Sequence, residues 1–412
     1  MSRNVTKSLV IASFGTLIEY YDYALFSLFL PFLALVFFPA KSAYDALIMG
    51  FYAILIASVA RPLGGLFFGY IGDRYGRKIS LVISLYGIAL ATLFIGILPS
   101  YAQIGVSAAI LLTIVRSIQL FCYGGEYSGA GIYVVELAKS KNTAFIGALL
   151  SAMALVGSVV AAIVGIILTS ANKTDPNWRL GFILGGVVGL IAIYFRRGMT
   201  ESVSKHELIK SPSLLSILKS QPRALFAGFC IGGFITVPFT TVLTFINPVL
   251  KTKGLMNAMQ FMQFQFVLST IAVITLVTAG FFADKLSPIK VMRTASILLI
   301  ILAWPLGMLL DSSNLYFILG TEIVLVVINE ILLGPSNAYL KQIFPVNCRY
   351  RGVAFSFCLG MAVLGGLTPI VENSLYQITG YLQSVAIWLV FISGLTCIAF
   401  SLAKPLPQLE IL

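Results

Sequence analysis

The feature that most constrains this 412-residue chain is a series of long apolar runs with the ionic residues gathered between them. A helix needs roughly 20 mostly apolar residues to cross a bilayer. About twelve such runs can be read: 8–36, 43–69, 79–99, 104–136, 143–170, 178–195, 222–248, 261–283, 291–310, 314–340, 350–371 and 380–402. Charged residues make up only 10% of the chain, against about 25% in an ordinary soluble domain, too few for a polar skin. Disorder, collagen and a disulfide-stapled secreted fold are excluded on the same ground. Barrel strands would alternate apolar and polar residues, and stretches such as Leu81 to Leu98 do not. The expected class is an all-α integral membrane protein. The first run is too long for a cleaved signal peptide and carries Glu19 and Asp22 without an Ala-x-Ala exit.

The 27 Lys and Arg residues set an expected topology. With the N-terminus in the cytoplasm and twelve crossings, 20 fall inside, 5 outside, and two, Arg61 and Arg116, within runs. That is a strong positive-inside bias, with both termini cytoplasmic. The net charge of +12 then reads as topology and attraction to anionic lipid, not as a nucleic-acid surface. The five cysteines form no C-x-x-C pair, so neither disulfides nor zinc is suggested. The single His206 cannot build a paired-histidine zinc or haem site. No metal and no cofactor is expected. Asn172-Lys173-Thr174 is a formal glycosylation sequon, a pattern that chance often produces.

The longest polar stretch, near 196–223, splits the runs six and six. The expected organisation is therefore a bundle at 1–195, a cytoplasmic linker at 196–221 and a bundle at 222–412. An internal echo supports duplication. Gly69-Tyr70-Ile71-Gly72-Asp73-Arg74 follows the second run, and Gly280-Phe281-Phe282-Ala283-Asp284-Lys285 follows the eighth. Paired halves of this kind are a usual build of secondary transporters.

The segment Gly69-Tyr-Ile-Gly-Asp-Arg-Tyr-Gly-Arg-Lys78 resembles the signature loop of the major facilitator superfamily. Further segments are similar to its metabolite:proton symporter family. These are Ile18-Glu-Tyr-Tyr-Asp-Tyr23, Phe37-Phe-Pro39, Arg61-Pro-Leu-Gly-Gly65, Arg116-Ser-Ile-Gln119 running on to Gly124-Gly-Glu126, Asn177-Trp-Arg-Leu180, Arg349-Tyr-Arg-Gly352 and Gly365-Gly-Leu-Thr-Pro369. Leu120 and Thr143-Ala144 depart from the usual pattern, and Pro288 interrupts the second signature loop. No long coiled-coil extension follows, so regulation through such a tail is not expected. The resemblance implies twelve membrane helices in two pseudo-symmetric bundles of six. It further implies proton-driven uptake of a small carboxylate-bearing metabolite into a bacterium across its inner membrane. The family's range includes proline and betaine-type osmolytes, dicarboxylates, citrate and shikimate; a proline/betaine-type zwitterion is the preferred expectation. The alternatives are an organic-acid symporter and a uniporter or exchanger on the same fold. A membrane-embedded enzyme would need a Gly-x-Ser-x-Gly or His-Glu-x-x-His centre, and neither occurs. The expected partners are the substrate, protons and lipid, with the protein acting as a monomer.

Ions inside hydrocarbon cost at least ~2.5–3.5 kcal/mol on insertion scales, so each needs a reason. Glu19 and Asp22 are three residues apart and share a helix face. Two close carboxylates in a low dielectric hold one proton more readily, so the pair is a candidate proton carrier. The bland alternative pairs each with an arginine on a neighbouring helix. Arg116 is the candidate substrate anchor, with Gln119 and Tyr123 on its face; alternatively it is a fixed partner of Glu19 or Asp22. Glu126, offset about 80° from Arg116, faces a neighbouring helix and is grouped with the proton-coupling residues. Tyr20, Tyr23, Asn329 and Glu330 complete the expected substrate contacts; for Glu330 a satisfied structural acid is the alternative. Gly69, Asp73, Arg74, Gly76 and Arg77 form the expected gate, with Glu136 joining it. Prolines 31, 238, 248, 305, 335 and 369 are expected to bend helices, and Trp178 to anchor a helix at the outer interface.

Overall fold

A computed structural model describes residues 3–39, 42–138, 142–171, 177–202, 212–246 and 258–406. His206, Pro248 and the 172–174 sequon lie outside the described residues. All regular elements in the described residues are helical. Eleven helical segments there are long and apolar enough to cross a membrane. The remaining long element, α1 (Arg3–Phe37), has 35 residues and carries Glu19 and Asp22 in its middle. With α1 the helices reproduce the twelve runs. Many outward faces are apolar, as at Val59 and Ile97. That is the inverse of a water-soluble surface and fits lipid.

Two compact units form. The first contains Met1–Leu137 and Met153–Ser211, the second Ala138–Ala152 and Pro212–Leu412. The chain is thus not divided at the central polar stretch alone, because the first part of the fifth run groups with the second unit. Arg196, read from the sequence as the first residue of the linker, is instead the last residue of a helix of the first unit.

The first unit comprises α1, α2 (Ala43–Ser58), α3 (Ala60–Tyr75), α4 (Arg77–Ile97), the short α5 (Tyr101–Ile104), α6 (Ser107–Leu137), the later part of α7 (Thr143–Ala171) and α8 (Trp178–Arg196). Ser42 starts α2 by accepting from the Asp45 amide at 3.1 Å, the side-chain cap that orphan amides require. Helix α6 packs on α1, α2, α3 and α4, and α8 packs on α1 and α4. With no water to expel inside a bilayer, packing and interhelical polar contacts hold such helices together. Close approach is visible where a Cβ built on Gly64 would stand 1.7 Å from the Phe121 carbonyl, and one on Gly124 would stand 2.1 Å from the Arg61 carbonyl. Toward the other end, Phe26, Phe29, Phe37, Trp178 and Phe182 form an aromatic core. Trp178 is 4% exposed and stacks edge-on against Phe37 at 5.7 Å. It is therefore a core residue and not the lipid-interface anchor expected from its place at the head of a run.

The second unit holds the start of α7, then α9 (Leu214–Ser220), α10 (Pro222–Thr240), α11 (Ala258–Leu286), α12 (Pro288–Leu310), α13 (Leu315–Ile343), α14 (Arg349–Gly360), α15 (Gly366–Thr379) and α16 (Val385–Leu402). Helix α10 continues into a π-turn at Thr241–Ile246, and a second π-turn, Met361–Gly365, joins α14 to α15. Such turns are rare and frequently functional. Pro238, Pro305, Pro335 and Pro369 lie inside helices. Helix α13 packs on α10, α11 and α12, while α16 packs on α10 and α12.

Candidate functional site

The interior of the first unit concentrates ionic groups from five helices. Asp22 of α1 is 1% exposed and gathers three side chains of α6. Tyr123 Oη and Gln119 Nε2, both from α6, donate to its Oδ2. Arg116 Nη1 lies 3.7 Å from the same oxygen. Gln119 Nε2 also reaches Thr92 Oγ1 of α4 at 2.9 Å, and Arg116 donates to Gln119 Oε1. Residues 116, 119 and 123 meet one carboxylate because three- and four-residue steps keep them on one helix face. Arg116 also lies 4.0 Å from the centre of the Phe26 ring and 5.6 Å from that of Tyr23, a cation–π arrangement that suits a guanidinium out of water. Tyr23 and Tyr123 pack edge-on at 6.2 Å, and Tyr20 meets Tyr127 at 5.5 Å. Asp22 Oδ1, Arg116 Nε and Glu19 Oε2 are buried with no hydrogen-bond partner. The Asp22 cluster thus holds one guanidinium and a spare carboxylate oxygen in a site shielded from solvent.

Glu19 does not share this network. Its Oε1 faces Arg61 Nη2 of α3 at 3.9 Å. The two carboxylates therefore take separate arginines, the bland alternative stated above. Glu126 is the most firmly held of the acids grouped for proton coupling. Arg196 forks onto it from α8, with Nη1 2.8 Å from Oε2 and Nη2 on Oε1. Ser84 of α4 donates to Oε2 at 2.7 Å. Both members of the pair are 0% exposed. Arg196, Ser84 and Thr92 were missed from sequence. Arg196 was hidden in the pair Arg196-Arg197, where only the second residue is exposed; its position at the end of an apolar run was the available signal.

The expected gate residues meet at the α3–α4 turn. Arg77 is 0% exposed. Its Nη1 reaches Asp73 Oδ1 at 2.5 Å and the Gly72 carbonyl at 2.7 Å, and its Nε lies 3.4 Å from Glu136 Oε2. Glu201, which the sequence did not single out, accepts from the Arg77 and Lys78 amides at 2.9 and 3.2 Å. It thereby caps α4, as a carboxylate does at a helix N-terminus. Gly76 has φ +116°, open to glycine and strained for other residues. Arg74 stays outside this cluster and lies over Tyr70 and Tyr75. Gly69 is buried within α3.

The second signature loop holds differently. Asp284 accepts from the Ala144 and Phe145 amides at the start of α7, both at 2.8 Å. Pro288, which interrupts the sequence pattern, occupies the first turn of α12, where its missing amide costs nothing. In this unit Asn329 donates to Glu330 Oε1 at 3.2 Å. Glu322, Asn329, Glu330 and Glu372 are each at most 3% exposed, and each keeps at least one oxygen without a hydrogen-bond partner. Among the described residues no group of three metal-ligating side chains forms.

Residues 12–368 match the family model of the Major Facilitator Superfamily. A relative in Staphylococcus aureus (strain COL) is 30% identical over 403 residues, spanning 95% of this chain and 86% of the relative. A proline/betaine transporter of Escherichia coli (strain K12) is 29% identical over 412 residues, spanning 94% and 81%. The fold superposes on the proton:xylose symporter XylE with a TM-score of 0.79 at 16% identity, covering 97% of this chain and 94% of that one. The fucose:proton symporter FucP from E. coli gives 0.75 at 13% identity, covering 98% and 100%. The two-unit helical architecture with paired signature loops is that of a membrane transporter, and the chain belongs to the Major Facilitator Superfamily.

Proposed function

We propose that the protein is a proton-coupled uptake transporter for a small carboxylate-bearing metabolite, with a proline/betaine-type zwitterion as the preferred substrate. The observation that carries this reading is the Asp22 network. Among the described residues, one carboxylate gathers an arginine, a glutamine and a tyrosine, and no other carboxylate hydrogen-bonds or ion-pairs with these three. Protonating Asp22 removes the charge that holds Arg116. The guanidinium stays charged and is then free to fork onto a substrate carboxylate. Loss of the proton returns Arg116 to Asp22 and expels the cargo, so the two fluxes are tied. Gln119, Tyr20, Tyr23 and Tyr123 shape that pocket, and Tyr faces suit a quaternary or secondary ammonium. Glu19 with Arg61 is a second proton-exchanging pair. Asn329 and Glu330 are assigned to the substrate's cationic end. Asp73, Arg77 and Glu136, with Gly69, Arg74 and Gly76 shaping the turn, act as the gate. Both termini are placed in the cytoplasm by the positive-inside bias, in a bacterial plasma membrane, with one monomer as the working unit. The name of the E. coli relative supports the substrate class, and XylE and FucP, themselves proton symporters, lend support to proton coupling.

The test is substrate-dependent alkalinisation outside liposomes holding the purified protein. Proline and glycine betaine should raise external pH, and dicarboxylates should not. Asp22→Asn should abolish accumulation driven by a pH gradient and keep substrate exchange. Normal accumulation by Asp22→Asn would sink the assignment, and alkalinisation by a dicarboxylate alone would favour the organic-acid alternative.

A further inference from the structure

We propose that Glu372, in the second unit, is a separate proton-binding site whose proton pins two bent helices together. Its side chain is 0% exposed on α15, and Oε1 lies 2.5 Å from Thr241 Oγ1, where the π-turn that extends α10 begins. Thr241 is also fully buried, and its hydroxyl lies 2.9 Å from the Val237 carbonyl. A hydroxyl has one proton to give, and a backbone carbonyl can only accept. If Thr241 gives its proton to Val237, Glu372 bonds to Thr241 only by holding a proton of its own. If Glu372 is ionised, the hydroxyl must turn away from its own helix to meet the charge. The bond pattern therefore depends on one proton.

Among the described residues, the elements packed most extensively on α15 offer an ionised Glu372 no nearby cation. These elements are α10, the two π-turns, the Leu382–Ser384 turn and α16. Their only charged side chain is Arg223, in the first turn of α10. It stands five turns before Thr241, about 27 Å along the axis. The other titratable side chains on these elements and on α15 are Cys230, Cys397 and Tyr376, none of them a cation. Oε2 of Glu372 has no hydrogen-bond partner among the described residues. A buried charge without a partner is costly, whereas a protonated carboxyl needs only hydrogen bonds.

The position gives the proton mechanical reach. Thr241 stands three residues after Pro238 and Glu372 three after Pro369. Each helix also carries a π-turn beside its proline, so both are built to bend there. With Glu372 protonated, the chain Glu372 to Thr241 to Val237 is satisfied throughout and the two bent segments are held together. Release of the proton to water leaves a carboxylate that must find water, which parts them. Its use in the transport cycle rests on the proton-coupled reading above; the binding of the proton does not.

The experiment is infrared difference spectroscopy of the purified full-length protein between acid and alkaline buffer, in water and deuterium oxide. The wild type should show a carboxylic-acid carbonyl band that is lost in Glu372→Gln. Thr241→Val removes the hydrogen bond with little change in size, and should move that band to higher frequency. Superimposable spectra for wild type and Glu372→Gln would overturn the proposal. So would an unmoved carboxylic-acid spectrum in Thr241→Val, which serves alone if Glu372→Gln does not fold. A protein that shows the band but no substrate-driven alkalinisation refutes the symport reading and leaves this site standing.

Discussion

The pair Glu126–Arg196 gives the sharpest test of how the first unit is held. Replacing Arg196 by Met removes both arms of the fork and the 2.6 Å bond to the Leu81 carbonyl. It leaves a fully buried carboxylate whose remaining hydrogen bond is from Ser84. Breaking a buried pair from one side costs about 3–5 kcal/mol, because the other charge stays behind. For a unit of roughly two hundred residues this lowers the melting temperature by roughly 5–20 °C. Glu126→Gln should cost a similar amount for the mirrored reason. The double variant Glu126→Gln/Arg196→Met removes both charges, so it should melt well above either single variant. The assay is thermal unfolding in detergent, followed by tryptophan fluorescence, read as a double-mutant cycle. If the two single effects simply add, the fork contributes nothing and the reasoning fails. The same variants separate two roles for Glu126. A fixed lock predicts lost stability with proton-to-substrate stoichiometry unchanged. A carrier predicts lost alkalinisation with an unchanged melt.

Three further outcomes follow from the two signature loops and the closest helix contact. Ser287 has φ +127° and ψ +133°, a region nearly reserved for glycine. Ser287→Gly should therefore stabilise by about 1–2 kcal/mol, visible as a raised melting temperature; a lowered one would refute the strain. Asp284→Ala removes the carboxylate from the start of α7, at a cost of about 1 kcal/mol. Hydrogen exchange at the Ala144 and Phe145 amides should then speed up roughly fivefold, with unchanged exchange as the contrary result. Gly64→Leu forces a side chain into the Phe121 carbonyl. It should prevent folding, so a monodisperse, full-yield Gly64→Leu protein on size-exclusion chromatography would disprove the close α3–α6 approach.

The membrane helices were legible because each is a long apolar run, and Glu19, Asp22, Arg61 and Arg116 because ions in such runs stand out. The pairing of these ions was not legible. Glu19 and Asp22 share a helix face, yet Arg61 and Arg116 approach from two different helices, α3 and α6. Only the packing of α1 against its neighbours decides which arginine meets which acid. Arg196 and Trp178 show the same limit at helix ends. Each is a boundary residue of α8, and each is buried because neighbouring helices cover that end, α1 through Phe37 over Trp178 and α4 and α6 through Leu81 and Glu126 at Arg196. Asp284 was found by its echo of Asp73, but its partner was not. Asp73 meets the arginine four residues on, and the corresponding position after Asp284 is Pro288, which has no charge to offer. The carboxylate turns to the amides of α7 instead.

The two units handle buried charge by different means. In the first, Glu19, Asp22, Asp73 and Glu126 each have an arginine within 4.0 Å, from Arg61, Arg116, Arg77 and Arg196 in turn. In the second, Glu322, Glu330 and Glu372 are as deeply buried, and no salt bridge to them forms among the described residues. Arg351, also buried there, donates to the Pro212 carbonyl. Pairing with arginine keeps an acid charged and fixed until something displaces the arginine. Without a cation, neutrality comes only from a proton. A displaceable arginine responds to a substrate carboxylate, whereas Glu372, which has no assigned substrate contact, responds to pH. If that division is real, neutralising Asp22 should change substrate affinity and proton movement together. Neutralising Glu372 should change the pH dependence of transport and leave substrate affinity at saturating proton concentration where it was. A parallel fall of affinity in both variants would show that Glu372 also governs substrate binding and would refute the division.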